Sequence, residues 1–175
     1  MNLANSQRAA EKIRLLVLDV DGVLTDGSIY YSNSGDELKA FNIQDGLGIK
    51  LLQGAGIEVA IITGRSSALL SRRSNELGIS KLIQGREDKL TALNELLADS
   101  TYTLDEIAYM GDDLPDLAVI RRVGLGMTVA DASATVAEHA SWQARHNGGR
   151  GAVREAAEFI LKAQNKFQQA IEPFL

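Results

Sequence analysis

The stretch LLVLDVDGVLTDG, residues 15–27, decides the fold of this chain. It opens with a short apolar run, Leu15 to Val20, which is typical of a fully buried strand. The carboxylates of Asp19 and Asp21 stand two positions apart, and on a regular strand they face the same way. Two like charges so near to each other are costly unless a cation or a proton neutralises one of them. The pattern therefore predicts a metal ion at the end of this strand, although a lone pair of this kind is also common in ordinary loops.

The rest of the chain alternates short apolar runs with segments of helical period. We predict further strands at Val59 to Thr63, Lys81 to Ile83, Ile107 to Met110 and Val123 to Val129. Helices are predicted between them at Asp45 to Gln53, Ser66 to Leu77, Asp88 to Ala98 and Leu114 to Arg121, and a last one from Ala152 to about Phe167. This alternation predicts a three-layer, Rossmann-like α/β fold with a mostly parallel sheet.

In such sheets ligands bind outside the carboxyl ends of the strands. The predicted strands end in the polar, glycine-containing pieces DVDG, TGR, QGRED and GDD. Four separate segments thus deliver polar groups to one edge of the sheet. This convergence is more informative than any single motif.

Residues 28–41, SIYYSNSGDELKAF, break the alternation and predict a β-hairpin inserted into the fold. Its apolar side chains exceed what a lone hairpin can bury, and a two-stranded hairpin is marginal by itself. We therefore expect the hairpin to pack on another surface, such as another subunit.

Composition limits the possible functions. The 175 residues fit a single domain, residues 1–175, and the absence of cysteine excludes disulfides, thiolate metal sites and cysteine nucleophiles. The net charge is −5 without a basic block, so neither nucleic acid nor a membrane is an expected partner. We read no signal peptide and no apolar run long enough to span a bilayer, which predicts a cytoplasmic protein.

The segments DVDGVLTDG, TGR, Lys89 and GDDLPD resemble, in order and spacing, the four motifs of the haloacid dehalogenase superfamily. The resemblance implies a phosphatase in which Asp19 attacks phosphorus and Asp21 acts as general acid and then general base. It implies that Thr63, the backbone N–H of Gly64 and Lys89 bind the phosphoryl oxygens.

The same resemblance implies a Mg²⁺ ion bound by Asp19, Asp112 and the backbone carbonyl of Asp21. Asp113 and Asp116 would then lie outside the metal ligands, or orient Lys89. Each motif also has an ordinary interpretation: GDD suits a turn in which Asp113 caps the next helix, and Lys89 suits a solvated helix surface. The four together favour catalysis over a non-catalytic scaffold that kept the fold.

The hairpin followed by AFNIQDGLGIKLL, and the tail GGRGAVREAAEFIL within residues 147–175, resemble the family of 3-deoxy-D-manno-octulosonate 8-phosphate phosphatases. Members of that family are homotetramers without a cap domain, in which the tail of one subunit helps to close a neighbour's active site. The resemblance implies a sugar acid phosphate as substrate, in lipopolysaccharide precursor synthesis.

An anionic sugar acid calls for cations beyond Lys89. Arg65 follows the strand end that is predicted to bind phosphate, where it could pair with the sugar acid. Arg150 lies in a glycine-rich segment that would fold over a site. That segment is also typical of an ordinary loop that leads into a helix. A related phosphatase for a nine-carbon sugar acid 9-phosphate remains an alternative, and a phosphomutase is disfavoured by the missing cap. We further expect Asp45 to cap its own helix, and assign no role to Arg86, His139 or His146.

Overall fold

The structure is a computed structural model that describes residues 3–35 and 37–175. The strands are β1 (Leu15–Leu18), β2 (Tyr30–Tyr31), β3 (Glu37–Leu38), β4 (Glu58–Ile62), β5 (Lys81–Ile83), β6 (Ile107–Gly111), β7 (Leu125–Thr128) and β8 (Trp142–Gln143). The helices are α1 (Leu3–Ala10), α2 (Ile43–Gly54), α3 (Ala68–Leu77), α4 (Lys89–Leu97), α5 (Leu117–Ile120), α6 (Ala134–His139), α7 (Ala152–Ala163) and α8 (Phe167–Ile171).

Six strands form one parallel sheet in the order β5-β4-β1-β6-β7-β8. Alternate residues of β1 point into the hydrophobic cores on opposite faces of the sheet. Leu16 and Leu18 pack with α1, α2, α3 and α7, whereas Leu15 and Val17 pack with α4, α5 and α6. The predicted three-layer α/β fold is confirmed. Because β1 lies at the centre and is buried on both faces, its carboxyl end opens in the middle of the sheet edge.

Several boundaries differ from the sequence prediction. β1 ends at Leu18 because the carbonyl of Val20 accepts the N–H groups of Val23, Leu24 and Thr25 in a turn. The predicted helix over Leu114 to Arg121 is a 3₁₀ turn, Leu114–Asp116, followed by α5. Helices α1, α6 and α8 and the two-residue β8 were not predicted from the sequence, and the last helix, predicted from Ala152 to about Phe167, ends at Ala163 as α7.

Residues 28–41 contain the expected hairpin. Tyr30 pairs with Leu38 and Tyr31 with Glu37, in antiparallel register. Tyr31 and Leu38 are 68% and 62% exposed, so the apolar surface of the hairpin stays open to solvent within one chain.

The prediction that Asp45 caps its own helix is wrong. The side chain of Asn42 accepts the N–H of Gln44 and caps α2. Asp45 lies inside the first turn and is buried, where its carboxylate accepts the N–H groups of Gly151 (3.3 Å) and Arg154 (2.8 Å). Through Asp45, α2 thus accepts hydrogen bonds from the free backbone N–H groups at the start of α7.

Within residues 3–35 and 37–175, the structure contains no helix of the length and apolarity that crossing a bilayer requires.

We expect Asp45→Ala to lower the free energy of unfolding by about 1–3 kcal/mol, because it leaves two buried N–H groups without an acceptor. Urea denaturation measures the change, with Asp99→Ala, which alters an exposed carboxylate, as the control. Equal stability of the two variants would contradict this interpretation of Asp45.

Candidate active site

One cleft opens at the carboxyl ends of β1, β4 and β6. Its lining includes most of the residues predicted from the sequence: Asp19, Asp21, Thr63, Gly64, Arg65, Lys89 and Asp112. Glu87, Asp113, Pro115 and Asp116 line it as well. The convergence of strand ends therefore brings these distant segments to one place.

Lys89 lies at the first position of α4, and its side chain is only 5% exposed. Its Nζ lies 2.9 Å from Oδ1 of Asp19 and 2.6 Å from Oδ1 of Asp116. A buried ammonium is costly unless it is paired. Here the two carboxylates hold the charge of Lys89 beside Asp19.

Asp116 is a buried carboxylate with four donors. Lys89 and the hydroxyl of Tyr109 donate to Oδ1, while the backbone N–H groups of Asp112 (3.1 Å) and Asp113 (3.4 Å) donate to Oδ2. A Cβ at Gly111 would lie 2.2 Å from Cγ of Asp116, so only glycine admits this carboxylate. Asp116 therefore fixes both Lys89 and the loop that carries Asp112.

Asp19, Asp112 and Asp116 each place a carboxylate oxygen within 4.8 Å of the others. Burial first, and then the charge of Asp116, raise the pKa of Asp19 to about 6. Burial first, and then the charge of Asp19, raise the pKa of Asp112 to about 7. Both shifts reflect carboxylates that are removed from water and lie close to other carboxylates.

A divalent cation fits this donor set. Since Asp116 is already occupied by four donors, Asp19 and Asp112 are the carboxylates that remain to bind it. Hard cations such as Mg²⁺ take one or two carboxylates together with water and substrate oxygens. Gly22, at φ +90°, keeps the space open, because a Cβ there would lie 2.1 Å from Oδ2 of Asp112.

Thr63 and Gly64 follow β4, where Thr63 is buried beside the cleft. Its N–H donates to the carbonyl of Ile83, and its own carbonyl accepts the N–H of Arg86. These bonds fix the backbone at the strand end. The hydroxyl of Thr63 also accepts the N–H of Arg65, at 3.4 Å.

Arg65 lies at the rim of the cleft, with 42% of its side chain exposed. Its Nε is 4.0 Å from Oδ2 of Asp21, and its Nη2 is 3.4 Å from Oε1 of Glu37 in β3. The guanidinium therefore stands between the cleft and the hairpin of the same chain.

The sequence analysis missed Lys39. This residue follows β3, its side chain is 5% exposed, and its Nζ donates to Oδ1 of Asp21. Nothing in the segment ELKAF distinguishes Lys39 from a solvated hairpin lysine. Only the path of the hairpin back across the cleft brings it to Asp21.

Arg150 does not line the cleft of its own chain. Its Nη2 lies 3.4 Å from Oδ2 of Asp26, and its side chain is 70% exposed. The glycine segment packs under the loop after β1: Gly149 donates to the carbonyl of Val23, and a Cβ at Gly148 would lie 1.8 Å from the carbonyl oxygen of Gly22. Within one chain this segment is a closely packed loop that leads into α7.

The residues that were left without a role lie on the surface. Arg86 pairs with Asp88 and Glu95, and His146 pairs with Glu155. His139 contacts the carbonyl of Thr135 within its own helix.

The sequence of this chain is similar to those of known proteins. Residues 81–156 match the family model described as haloacid dehalogenase-like hydrolase. The chain is 53% identical over 164 residues to the 3-deoxy-D-manno-octulosonate 8-phosphate phosphatase KdsC of Yersinia pestis, covering 94% of this chain and 87% of that protein. It is 50% identical over 161 residues to the KdsC of Escherichia coli K12, covering 92% and 86%.

Solved structures agree. The 3-deoxy-D-manno-octulosonate 8-phosphate phosphatase of Moraxella catarrhalis was solved in complex with a magnesium ion, a phosphate ion and 3-deoxy-D-manno-octulosonate (KDO). It superposes on this chain with a TM-score of 0.97 at 47% identity, and the alignment covers 99% of this chain and 100% of that chain. The cobalt-bound enzyme of Haemophilus influenzae gives a TM-score of 0.88 at 39% identity, covering 93% and 98%.

We expect the apparent Kd for Mg²⁺ to rise as the pH falls from about 8 to about 6, with proton release on binding. The pKa of Asp112 is raised to about 7, so below that pH its carboxyl increasingly holds a proton that the cation must displace. Titration calorimetry in buffers of different ionisation enthalpy measures both effects. Asp112→Asn should bind weakly and with a flatter pH dependence; a Kd of the wild type that stays constant over the range would contradict the metal site.

Proposed function

Because this chain belongs to the 3-deoxy-D-manno-octulosonate 8-phosphate phosphatase family of haloacid dehalogenase-like hydrolases, we propose that it hydrolyses the phosphate monoester of that sugar acid. The products are free 3-deoxy-D-manno-octulosonate and inorganic phosphate, in lipopolysaccharide precursor synthesis, and the cofactor is Mg²⁺. The observation that carries this conclusion is the identity of about half of all residues over nearly the whole chain.

We assign the chemistry to the residues that meet in the cleft. Asp19 attacks phosphorus while the bond from phosphorus to the sugar oxygen breaks, and Asp21 gives its proton to the departing oxygen. Asp21 then takes a proton from water, whose oxygen attacks the phosphoaspartate and releases phosphate and the Asp19 carboxylate. Mg²⁺, when bound by Asp19, Asp112 and the carbonyl of Asp21, supplies positive charge to the phosphoryl oxygens.

Lys89 supports this reaction through its position. Its ammonium lies beside Asp19 and is held there by Asp116, so it reduces the repulsion between the attacking carboxylate and an incoming phosphate. Thr63 and Gly64 line the same cleft at the end of β4, which supports the proposal that the Thr63 hydroxyl and the Gly64 N–H donate to the phosphoryl oxygens.

Arg65 is our candidate for binding the sugar acid. It lies at the rim next to Asp21, its side chain is partly exposed, and a guanidinium pairs with a carboxylate through two parallel hydrogen bonds. Arg150 lies outside this cleft, so its proposed contact with substrate requires the cleft of a neighbouring subunit.

The function is tested by a kinetic panel that contains the eight-carbon sugar acid 8-phosphate, a nine-carbon sugar acid 9-phosphate, a hexose phosphate and p-nitrophenyl phosphate. We expect the highest kcat/KM for the eight-carbon substrate, by about 100-fold or more over the hexose phosphate, because the hexose phosphate lacks the carboxylate that Arg65 is proposed to bind. EDTA should abolish turnover, and Asp19→Asn should abolish both turnover and trapped phosphoenzyme.

Equal kcat/KM for unrelated sugars would remove the substrate assignment, and preference for the nine-carbon substrate would favour the alternative phosphatase. Absence of all metal-dependent hydrolysis would favour a scaffold.

We also propose that the chain forms a cytoplasmic homotetramer in which the hairpins meet. The exposed apolar side chains of β2 and β3 support this: the cross-strand pair Tyr30 and Leu38 forms an apolar patch on one face of the hairpin, and Tyr31 is exposed as well. A second copy of the same surface would cover the patch by symmetry.

Leu38→Asp should shift the wild-type tetramer to smaller species in sedimentation velocity, because a carboxylate in the joined patch has no partner. Leu3→Asp, an equally exposed site on α1, is the matched control and should stay tetrameric. A fully active wild-type monomer at assay concentration would contradict the proposed assembly.

A further inference from the structure

We propose that Lys39 is a positioning residue for phosphate transfer: from the return arm of the hairpin, it holds the carboxylate of Asp21 in place at the rim of the cleft. The inference rests on the proposed function, since it concerns the residue to which that function assigns proton transfer. The contact that motivates it is the ion pair between Nζ of Lys39 and Oδ1 of Asp21.

The burial of Lys39 is unusual for its location. Leu38, the residue before it, is 62% exposed, while the side chain of Lys39 is 5% exposed. Lysine is almost never fully buried unless it is paired. Holding its long side chain in one conformation costs rotamer entropy, which the contact with Asp21 must offset. The hairpin therefore directs this ammonium inward while its apolar side chains face out.

The carboxylate of Asp21 has few other supports. Among the contacts of residues 3–35 and 37–175, Lys39 donates to its Oδ1 and Nε of Arg65 lies 4.0 Å from its Oδ2. Asp116, by contrast, has four donors. A short side chain with one close partner depends on that partner for its rotamer. Removing Lys39 thus frees Asp21 to turn.

Arg65 is poorly suited to replace Lys39. Its side chain is 42% exposed and shared between Asp21 and Glu37, and an arriving anionic substrate competes for the same guanidinium. Lys39 is shielded from that competition by burial. The two cationic side chains therefore have different roles: Arg65 binds the substrate, and Lys39 keeps Asp21 in position.

The orientation of Asp21 matters in both steps of the reaction, because Asp21 protonates the leaving group and then takes a proton from water, but only the first demand depends on the substrate. A general acid must lie within hydrogen-bond reach of the atom that it protonates. The sugar oxygen leaves as a strongly basic alkoxide unless it is protonated, whereas p-nitrophenolate is a weak base and leaves without help. Since kcat/KM reports only the steps up to formation of the phosphoaspartate, a misplaced Asp21 should lower kcat/KM of the sugar phosphate far more than that of the aryl phosphate.

The test compares kcat and KM for the sugar acid 8-phosphate and for p-nitrophenyl phosphate in four proteins. These are the wild type, Lys39→Met, Lys39→Arg and Lys81→Met. Lys81→Met is the matched control, since it also breaks a lysine–carboxylate pair, with Glu58, but at the opposite end of the sheet. Thermal unfolding of each variant verifies folding.

We expect Lys39→Met to lower kcat/KM on the sugar phosphate by about 10- to 100-fold, within the range of general acid catalysis. Its kcat/KM on p-nitrophenyl phosphate should fall less than about threefold, because that leaving group needs no proton. Slower hydrolysis of the phosphoaspartate would lower kcat on both substrates alike. Lys39→Arg should keep most of the activity, and Lys81→Met all of it. In an Asp21→Asn background, Lys39→Met should cause no further loss on the sugar phosphate.

Equal losses of kcat/KM on both substrates would overturn the proposal, and so would a further loss on the sugar phosphate in the Asp21→Asn background. If Lys39→Met does not fold, Lys39→Arg decides, because an equal loss of kcat/KM on both substrates would again refute positioning. A wild type that hydrolyses other alkyl phosphates but not the sugar acid 8-phosphate would refute the proposed function alone, and the same comparison would then use that alkyl phosphate.

Discussion

The buried ammonium of Lys89 is the interaction on which the rest of the cleft depends. Three carboxylates converge at the centre of the sheet edge, and burial and mutual repulsion raise the pKa of Asp19 to about 6 and of Asp112 to about 7. Lys89 compensates part of this charge through Asp19 and Asp116. A divalent cation compensates the remainder when it binds. The uncompensated negative charge thus favours a metal ion, and the metal ion together with Lys89 then attracts the anionic phosphoryl group.

The fold supplies this arrangement by geometry. A parallel sheet aligns the carboxyl ends of β1, β4 and β6, and glycines allow the loops there to approach one another closely. Gly22 leaves room for the Asp112 carboxylate, Gly111 for the Asp116 carboxylate, and Gly148 for the backbone of the loop after β1. The buried Asp45 then joins α2 to the start of α7, directly after the glycine segment.

Residues that end long, regular elements could be placed from the sequence, because parallel strands share one edge. Asp19, Thr63 and Asp112 lie where this argument puts them; their catalytic roles stay predictions. The contacts of Lys39 and of the Arg150 segment could not be placed in this way, because they depend on where a loop returns in three dimensions. Lys39 reaches Asp21 through the path of a hairpin, and the segment of Arg150 is held by contacts with another loop. The two-residue β8 is too short for any periodic signal.

The most direct test of the account is a crystal structure of the protein with Mg²⁺ and beryllium fluoride, a mimic of the phosphoryl group. The account predicts a fluoroberyllate bonded to a carboxylate oxygen of Asp19, with the metal ion between Asp19 and Asp112. The ammonium of Lys89 should face the fluorine atoms and keep its contact with Asp116. An adduct on Asp21, or a metal ion bound by Asp113 and Asp116 instead, would contradict the account.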